Sequence, residues 1–95
     1  MKNLFENLDN CVCVLTGGAG VIGEALAKGL ANSGIKTAIL DLNEEKAIEI
    51  AYKIKAEYGV ETKVYKANVL DKNSLIEAKK KINSDLGKID FLING

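Results

Sequence analysis

The chain has 95 residues, 47% of them hydrophobic, which is enough for one small domain and too many for a disordered segment. Thirteen lysines balance thirteen acidic residues, so no net charge favours nucleic acid or a membrane surface as a partner. Glu6 and Asp9 interrupt the N-terminal segment and no apolar run reaches the length of a membrane span, so we expect a cytoplasmic protein without a secretory signal.

The first predicted elements are a strand, a glycine-rich turn and a helix. Residues 11–16 form a short apolar run that is typical of a strand buried on both faces of a parallel sheet. A helix is predicted from about Val21 to Ser33, and Gly34 is placed to end it in a left-handed turn. Apolar residues at helical spacing predict its buried face: Ile22, Ala25, Leu26, Gly29 and Leu30.

Three more strands alternate with two more helices. The strand "KTAILD" precedes a helix that Asn43 can cap and Gly59 can end. The strand "ETKVYKAN" precedes a helix that Asp71 can cap, with Gly87 after it, and "KIDFLIN" is the fourth strand. Because there is no proline and no hairpin signal, this alternation predicts right-handed crossovers. The expected fold class is α/β, a Rossmann-type parallel sheet of four strands in order 3-2-1-4 with three helices.

Two groups of residues that could carry other chemistry are assigned to the scaffold. Cys11 and Cys13 point to the same face of the first strand, and the chain has no His, so we predict reduced core thiols and no metal site. Lys79, Lys80 and Lys81 lie within the third helix, where the neutral charge balance favours a solvated face over a nucleic-acid patch.

The glycines after the first strand form a G-x-G-x-x-G motif at Gly18, Gly20 and Gly23. In such a motif one glycine permits a tight turn, one lets the backbone approach a pyrophosphate, and the last lets helix and strand pack closely. The N–H groups that begin the following helix, together with the helix dipole, then favour a phosphate group. The motif therefore predicts a dinucleotide site.

Asp41 ends the second predicted strand, eighteen residues beyond Gly23. An acidic residue near this position can accept hydrogen bonds from the adenosine ribose hydroxyls and would repel a 2′-phosphate. The chain contains no arginine, so NAD is predicted in preference to NADP. The alternative is that Asp41 is an ordinary turn or helix-start acid.

The stretches "TGGAGVIG", "ILDLNEEKA", "KANVLDKNSL" and "GKIDFLING", in this order and spacing, resemble the N-terminal half of a short-chain dehydrogenase/reductase of the single-domain branch. The resemblance extends over nearly the whole chain. It implies the following cofactor contacts: Thr16, Gly17, Gly18, Gly20, Val21, Ile22 and Gly23 at the diphosphate, Asp41 and Leu42 at the adenosine ribose, Asn68 and Val69 at the adenine, and Asn94 in the central sheet beside the cofactor.

Three positions depart from the family's usual pattern. Val21 stands where the commoner T-G-x-x-x-G-x-G loop has its middle glycine. The form found here is common in the extended branch, which includes nucleotide-sugar epimerases, and occurs in relatives of fructuronate (mannonate) reductases. Asn68 replaces a usual Asp, so an amide would contact the adenine, and Gly95 replaces the second Asn of N-N-A-G.

The family's catalytic Ser and Tyr-x-x-x-Lys have no counterpart here. None of Tyr52, Tyr58 and Tyr65 is followed by Lys four residues later, so we assign no catalytic residue. The sequence also ends one residue into a motif that normally continues. We therefore interpret residues 1–95 as a partial dinucleotide-binding domain that lacks the catalytic C-terminal half, is inactive alone and binds NAD weakly.

The parent protein is expected to be an NAD-dependent oxidoreductase acting on a secondary alcohol or ketone, with a sugar acid as a candidate substrate. The alternatives are a non-enzymatic nucleotide-binding or regulatory module, a fragment of an extended-branch epimerase, and a structural oligomer that binds nothing. A single third helix is expected to leave one sheet face uncovered, and the strand Lys88 to Asn94 to leave an open edge. Both features predict a homo-oligomer.

Overall fold

In a computed structural model, residues 10–17 and 19–94 are described, so the predictions that concern Gly18, Gly95 and the first nine residues lie outside the described part. The elements, in chain order, are β1 (Val12–Thr16), α1 (Val21–Asn32), β2 (Lys36–Asp41), α2 (Glu44–Tyr58), β3 (Thr62–Lys66), α3 (Lys72–Asp85) and β4 (Phe91–Asn94). The four strands are parallel and their order is β3-β2-β1-β4. The predicted Rossmann-type sheet with three helices is confirmed.

Local chemistry sets most helix ends. The Asn43 side chain accepts a hydrogen bond from the Lys46 N–H at 3.2 Å and caps α2, while Asp71 accepts from two N–H groups and caps α3. Gly34 and Gly59 follow α1 and α2 with φ values of 79° and 69°. Glycine adopts this left-handed conformation at little steric cost, which is why both helices end there.

The predicted buried face of α1 is wrong. The buried residues of this helix are Gly23, Ala27 and Ala31, whereas Ile22 is 74% exposed and Leu26 is 37% exposed. Spacings of four residues place the three small side chains in one row along the helix. A row of hydrogen atoms and methyl groups lets the α1 backbone lie close to the sheet, so the larger apolar residues are turned outwards.

The sheet has a hydrophobic cluster on each face. Side chains from α1 and α2 pack on one face with Leu15 and Ile39. On the other face, α3 packs in a cluster with Val12, Val14 and Leu40, all of which are at most 2% exposed. The expectation that this second face is left uncovered is therefore wrong over β1 and β2, because α3 residues and their neighbours bury it.

The open apolar surface of the sheet lies at β4. Leu92 is in register with Val14 and is 56% exposed, and Phe91 is in register with Cys13 and is 41% exposed.

Cys13 is fully buried and burial raises the pKa of its thiol to about 11, while Cys11 is half-buried. In residues 10–17 and 19–94, no helix is long and apolar enough to cross a bilayer.

Candidate functional site

Most of the predicted site residues lie at one edge of the sheet, where the parallel strands end. Thr16 ends β1, Asp41 ends β2 and Asn94 ends β4. Asn68 follows β3 by two residues, and the Ala67 N–H donates to the Asp41 carbonyl oxygen at 3.3 Å. The carboxyl edge of a doubly wound sheet is the usual ligand-binding edge of this architecture, because loops and helix N-termini converge there.

Thr16 and Asn94 are joined across two neighbouring strands. They are register partners, and the Thr16 hydroxyl donates to Asn94 Oδ1 at 3.0 Å although the residues are 78 positions apart. The Thr16 side chain is buried. This contact fixes the end of β4 beside the start of the glycine turn, so the structure brings Asn94 to the site as a neighbour of Thr16.

In the turn between β1 and α1, the backbone conformation at Gly17 requires glycine. Gly17 has φ 70°, and its N–H donates to the Leu40 carbonyl oxygen at 2.9 Å. Gly20 is then the N-cap of α1, and no side chain in residues 10–17 and 19–94 caps this helix. The N–H groups of a helix's first turn have no partners within the helix, and they carry the positive end of its dipole. The start of α1 is thus suited to an anion.

Gly20 differs from Gly17 because the fold itself does not require a glycine there. Its φ is −81°, a value that any residue adopts. Among the described residues, a Cβ atom added at Gly20 would meet only the Gly17 carbonyl oxygen, at an ordinary contact distance of 3.8 Å. The reason for a glycine at position 20 must therefore lie outside the described contacts of the chain.

Asp41 links the end of β2 to the glycine turn. Its Oδ2 accepts from the Ala19 N–H at 3.0 Å, and its Oδ1 accepts from the Asn43 N–H at 2.9 Å. Asn43, rather than Asp41, caps α2, so the carboxylate is not a helix cap. It lies between the turn that begins α1 and the turn that begins α2, where it is half-buried.

Hydrogen bonds of its backbone and side chain hold Asn68 in its loop, and its carbonyl oxygen accepts from the Asp71 N–H at 3.0 Å. Its Oδ1 accepts from the Leu70 N–H at 3.0 Å, and its own N–H donates to the Ser74 hydroxyl at 3.0 Å. The side-chain NH₂ group, with two donor hydrogens, has no hydrogen-bond acceptor among the described residues. Asn68 itself is exposed.

Large apolar side chains near these turns are unusually exposed. The exposed residues are Val21 (89%), Ile22 (74%), Leu42 (60%), Val69 (42%) and Leu70 (93%). Four of these five belong to the set predicted from the sequence, and Leu70 is the residue outside that set. An exposed group of this kind on a small domain is typical of a surface that contacts a ligand or partner.

A separate groove of about 670 Å³ lies beside β3 and α2, lined in part by Ile48, Tyr52 and Tyr65, and it contains none of the predicted site residues. The Tyr65 hydroxyl donates to Asp85 Oδ2 at 2.8 Å, and burial together with this carboxylate raises the pKa of Tyr65.

In the part of the chain that the structure describes, no cluster of three or more His, Cys, Asp or Glu side chains could hold a metal ion.

The chain is similar in sequence to known proteins. The family model for short chain dehydrogenase matches residues 11–95. An uncharacterized oxidoreductase, UxuB, of Bacillus subtilis is 44% identical over 95 residues, which are 100% of this chain and 34% of the relative. The chain spans about a third of the length of the curated relatives it matches.

Two solved structures add the fold comparison. A Haemophilus influenza protein provisionally named a D-mannonate oxidoreductase, solved with bound NAD, has a TM-score of 0.86 at 38% identity, covering 95% of this chain and 32% of that one. The L-sorbose reductase of Gluconobacter frateurii, complexed with NADPH and L-sorbose, has a TM-score of 0.87 at 25% identity, covering 93% of this chain and 34% of that one.

Proposed function

The chain belongs to the short-chain dehydrogenase family, and from that premise we propose that residues 1–95 form the NAD-binding part of an oxidoreductase. The reaction of the whole protein would be hydride transfer between NAD(H) and a secondary alcohol or ketone. No tyrosine of this chain has a lysine four residues later. The groups that move the proton to and from the carbonyl oxygen are accordingly proposed to lie outside this segment, which alone would be inactive.

The glycine at position 20 is the observation that supports this proposal most directly. No described residue prevents a side chain at this position or caps the helix N-terminus that follows it, yet the position is glycine. A diphosphate bound against the backbone would supply the missing reason, because any Cβ would hold the phosphate oxygens away from the N–H groups. In this proposal Thr16, Gly17 and the start of α1 at Val21 and Ile22 surround the diphosphate.

Asp41 and Leu42 are proposed to contact the adenosine ribose. A carboxylate has about four acceptor positions, of which the two backbone N–H groups use two, so ribose hydroxyls can use the others. A 2′-phosphate at the same place would meet a negative charge with no arginine in the chain to offset it. We therefore propose a preference for NAD, although solved relatives include both an NAD and an NADPH complex.

The adenine is proposed to lie between Asn68 and Val69. Asn68 is beside Asp41 through the Ala67 contact, and its NH₂ group can donate to a ring nitrogen. Val69 and Leu42 are exposed apolar side chains that a flat base could cover. The sugar-related names of relatives support a sugar acid or a ketose as the substrate class.

Association of the chain is proposed to involve β4. Leu92 and Phe91 are exposed on opposite faces of this strand, which is the outer strand of the sheet on that side. An outer strand with apolar side chains favours pairing with another strand or burial under another surface. We propose a homo-oligomer that covers this edge, to be tested by sedimentation equilibrium, where a folded monomer at high micromolar concentration would contradict it.

Calorimetry on a matched pair of variants tests the cofactor site. In Gly20→Val we expect no measurable NAD binding, because the branched side chain blocks the backbone from the phosphates. Gly29→Val is the control: it introduces the same side chain on α1, where a Cβ meets nothing within 4 Å. Wild type and the Gly29 variant should bind NAD and ADP-ribose within a few-fold of each other, and NADP more weakly.

Unchanged NAD affinity in the Gly20 variant would remove the turn from its proposed role. Circular dichroism and urea unfolding of both variants establish that each is folded. A wild-type chain that binds no dinucleotide at millimolar concentration would instead favour a structural role for this segment.

A further inference from the structure

The Asp41 carboxylate accepts two hydrogen bonds, one from a residue that is distant in sequence and one from a residue two positions away. Ala19 is 22 residues away and belongs to the turn before α1, whereas Asn43 belongs to the turn before α2. Hydrogen bonds to a charged acceptor are about twice as strong as neutral ones. One side chain therefore fixes the distance between the β2 terminus and the turn that leads into α1.

Among the described residues of this turn, Gly17, Ala19 and Gly20, few other hydrogen bonds restrain the backbone. The Gly17 N–H bonds to Leu40, and the Gly20 N–H reaches the Gly17 carbonyl oxygen only at 3.4 Å, which is long for a hydrogen bond. The Ala19 N–H has the shorter bond, to Asp41 at 3.0 Å. Among these contacts, the hydrogen bond to Asp41 is the one with a charged acceptor. It restrains Ala19, the residue before Gly20.

We propose that Asp41 is a positioning residue for the diphosphate as well as a partner of the ribose. It holds the Ala19 backbone so that the N–H groups at the start of α1 face the bound phosphates. This inference rests on the proposed function, since it assigns a second task to a residue of the same site. This role differs from ribose binding because it also affects inorganic pyrophosphate, a ligand that has no ribose.

Charge and position have opposite effects on such a ligand, which makes the proposal testable. A carboxylate close to a bound anion repels it, so removal of the charge alone would strengthen anion binding. Loss of the hydrogen bond to Ala19 would release the turn and weaken anion binding. The direction of the change in affinity for inorganic pyrophosphate therefore separates the two roles of Asp41.

The experiment measures pyrophosphate and ADP-ribose affinities of the ¹⁵N-labelled chain by NMR titration. Asp41→Ala should weaken pyrophosphate binding at least about threefold, because the lost charge-assisted hydrogen bond costs about tenfold or more and the loss of the negative charge offsets part of that cost. Asp41→Asn keeps one carbonyl oxygen for the Ala19 N–H, so it should recover pyrophosphate affinity while its ADP-ribose affinity stays low. Glu44→Gln is the matched control, because it removes an exposed acidic charge from the start of α2 and should not weaken pyrophosphate binding.

Equal or tighter pyrophosphate binding by Asp41→Ala would overturn the proposal and leave Asp41 a ribose partner only. Hydrogen exchange of the Ala19 amide gives a second measurement that needs no ligand. We expect at least about threefold faster exchange in Asp41→Ala than in wild type, with the Asn variant between them. If the wild type binds neither ligand, the proposed function and the positioning role both fail, whereas pyrophosphate binding and Ala19 exchange that Asp41→Ala leaves unchanged reject the positioning role alone.

Discussion

The two helices on one face of the sheet are built in opposite ways. α1 presents Gly23, Ala27 and Ala31 to the sheet and leaves larger apolar side chains outside. α2 presents Ile50 and Ile54, which are buried, together with two alanines. The difference indicates that large buried side chains set the position of α2 on the sheet, whereas small buried side chains set the position of α1.

The proposed function gives a reason for this contrast. A helix that carries a phosphate site must hold its first turn close to the strand ends, and small inner residues allow the shortest distance between backbone and sheet. α2 begins with an Asn43 cap and two acidic residues, which occupy its positive end. α1 begins with the uncapped Gly20. α1 therefore combines small inner residues with an N-terminus that no described side chain caps, whereas α2 combines large inner residues with a capped N-terminus.

The largest expected effect is a cavity beneath α2. Ile54→Ala should lower the free energy of unfolding by about 2–5 kcal/mol, because Ile54 is fully buried and the space cannot be refilled. Leu26→Ala on α1 is the control and should cost far less, since this side chain is partly exposed. Urea unfolding of both variants measures the difference, and equal losses would contradict the contrast between the helices.

An intermediate effect is expected from adding volume beneath α1. Ala27→Leu should lower the free energy of unfolding by about 1–3 kcal/mol, because three extra heavy atoms force α1 away from the sheet. The same change at Ala25, which is exposed, should alter stability by less than about 0.5 kcal/mol. The close approach of α1 would be disproved if Ala27→Leu were as stable as Ala25→Leu in the same urea titration.

The smallest effect concerns the sheet face beneath both helices. Thr37 is fully buried on β2, and its hydroxyl has no hydrogen-bond partner among the described residues. Thr37→Val replaces the hydroxyl with a methyl group of similar size, so the free energy of unfolding should rise by about 1 kcal/mol. Thermal unfolding provides the measurement, with the partly paired Thr62→Val as the comparison, which should gain less. A loss of stability at position 37 would mean that the hydroxyl has a partner.

The sequence by itself determined the elements, their order and the chemistry of their ends. Periodicity located four strands and three helices, and Asn43, Asp71 and Gly59 act where their local propensities place them. These features depend on residues a few positions apart, so a single stretch of sequence contains the whole signal. The glycine motif after β1 is likewise local, and it led to the candidate site.

Only the tertiary structure decided which face of α1 is buried, because hydrophobicity favours large residues while close packing against the sheet favours small ones. It also decided the contacts of Asp41 with Ala19 and of Thr16 with Asn94, which join residues 22 and 78 positions apart. Parallel pairing brings such strand ends together through crossovers of many residues. No local pattern specifies which atoms then meet, since that depends on the register of strands that are neighbours in space and not in sequence.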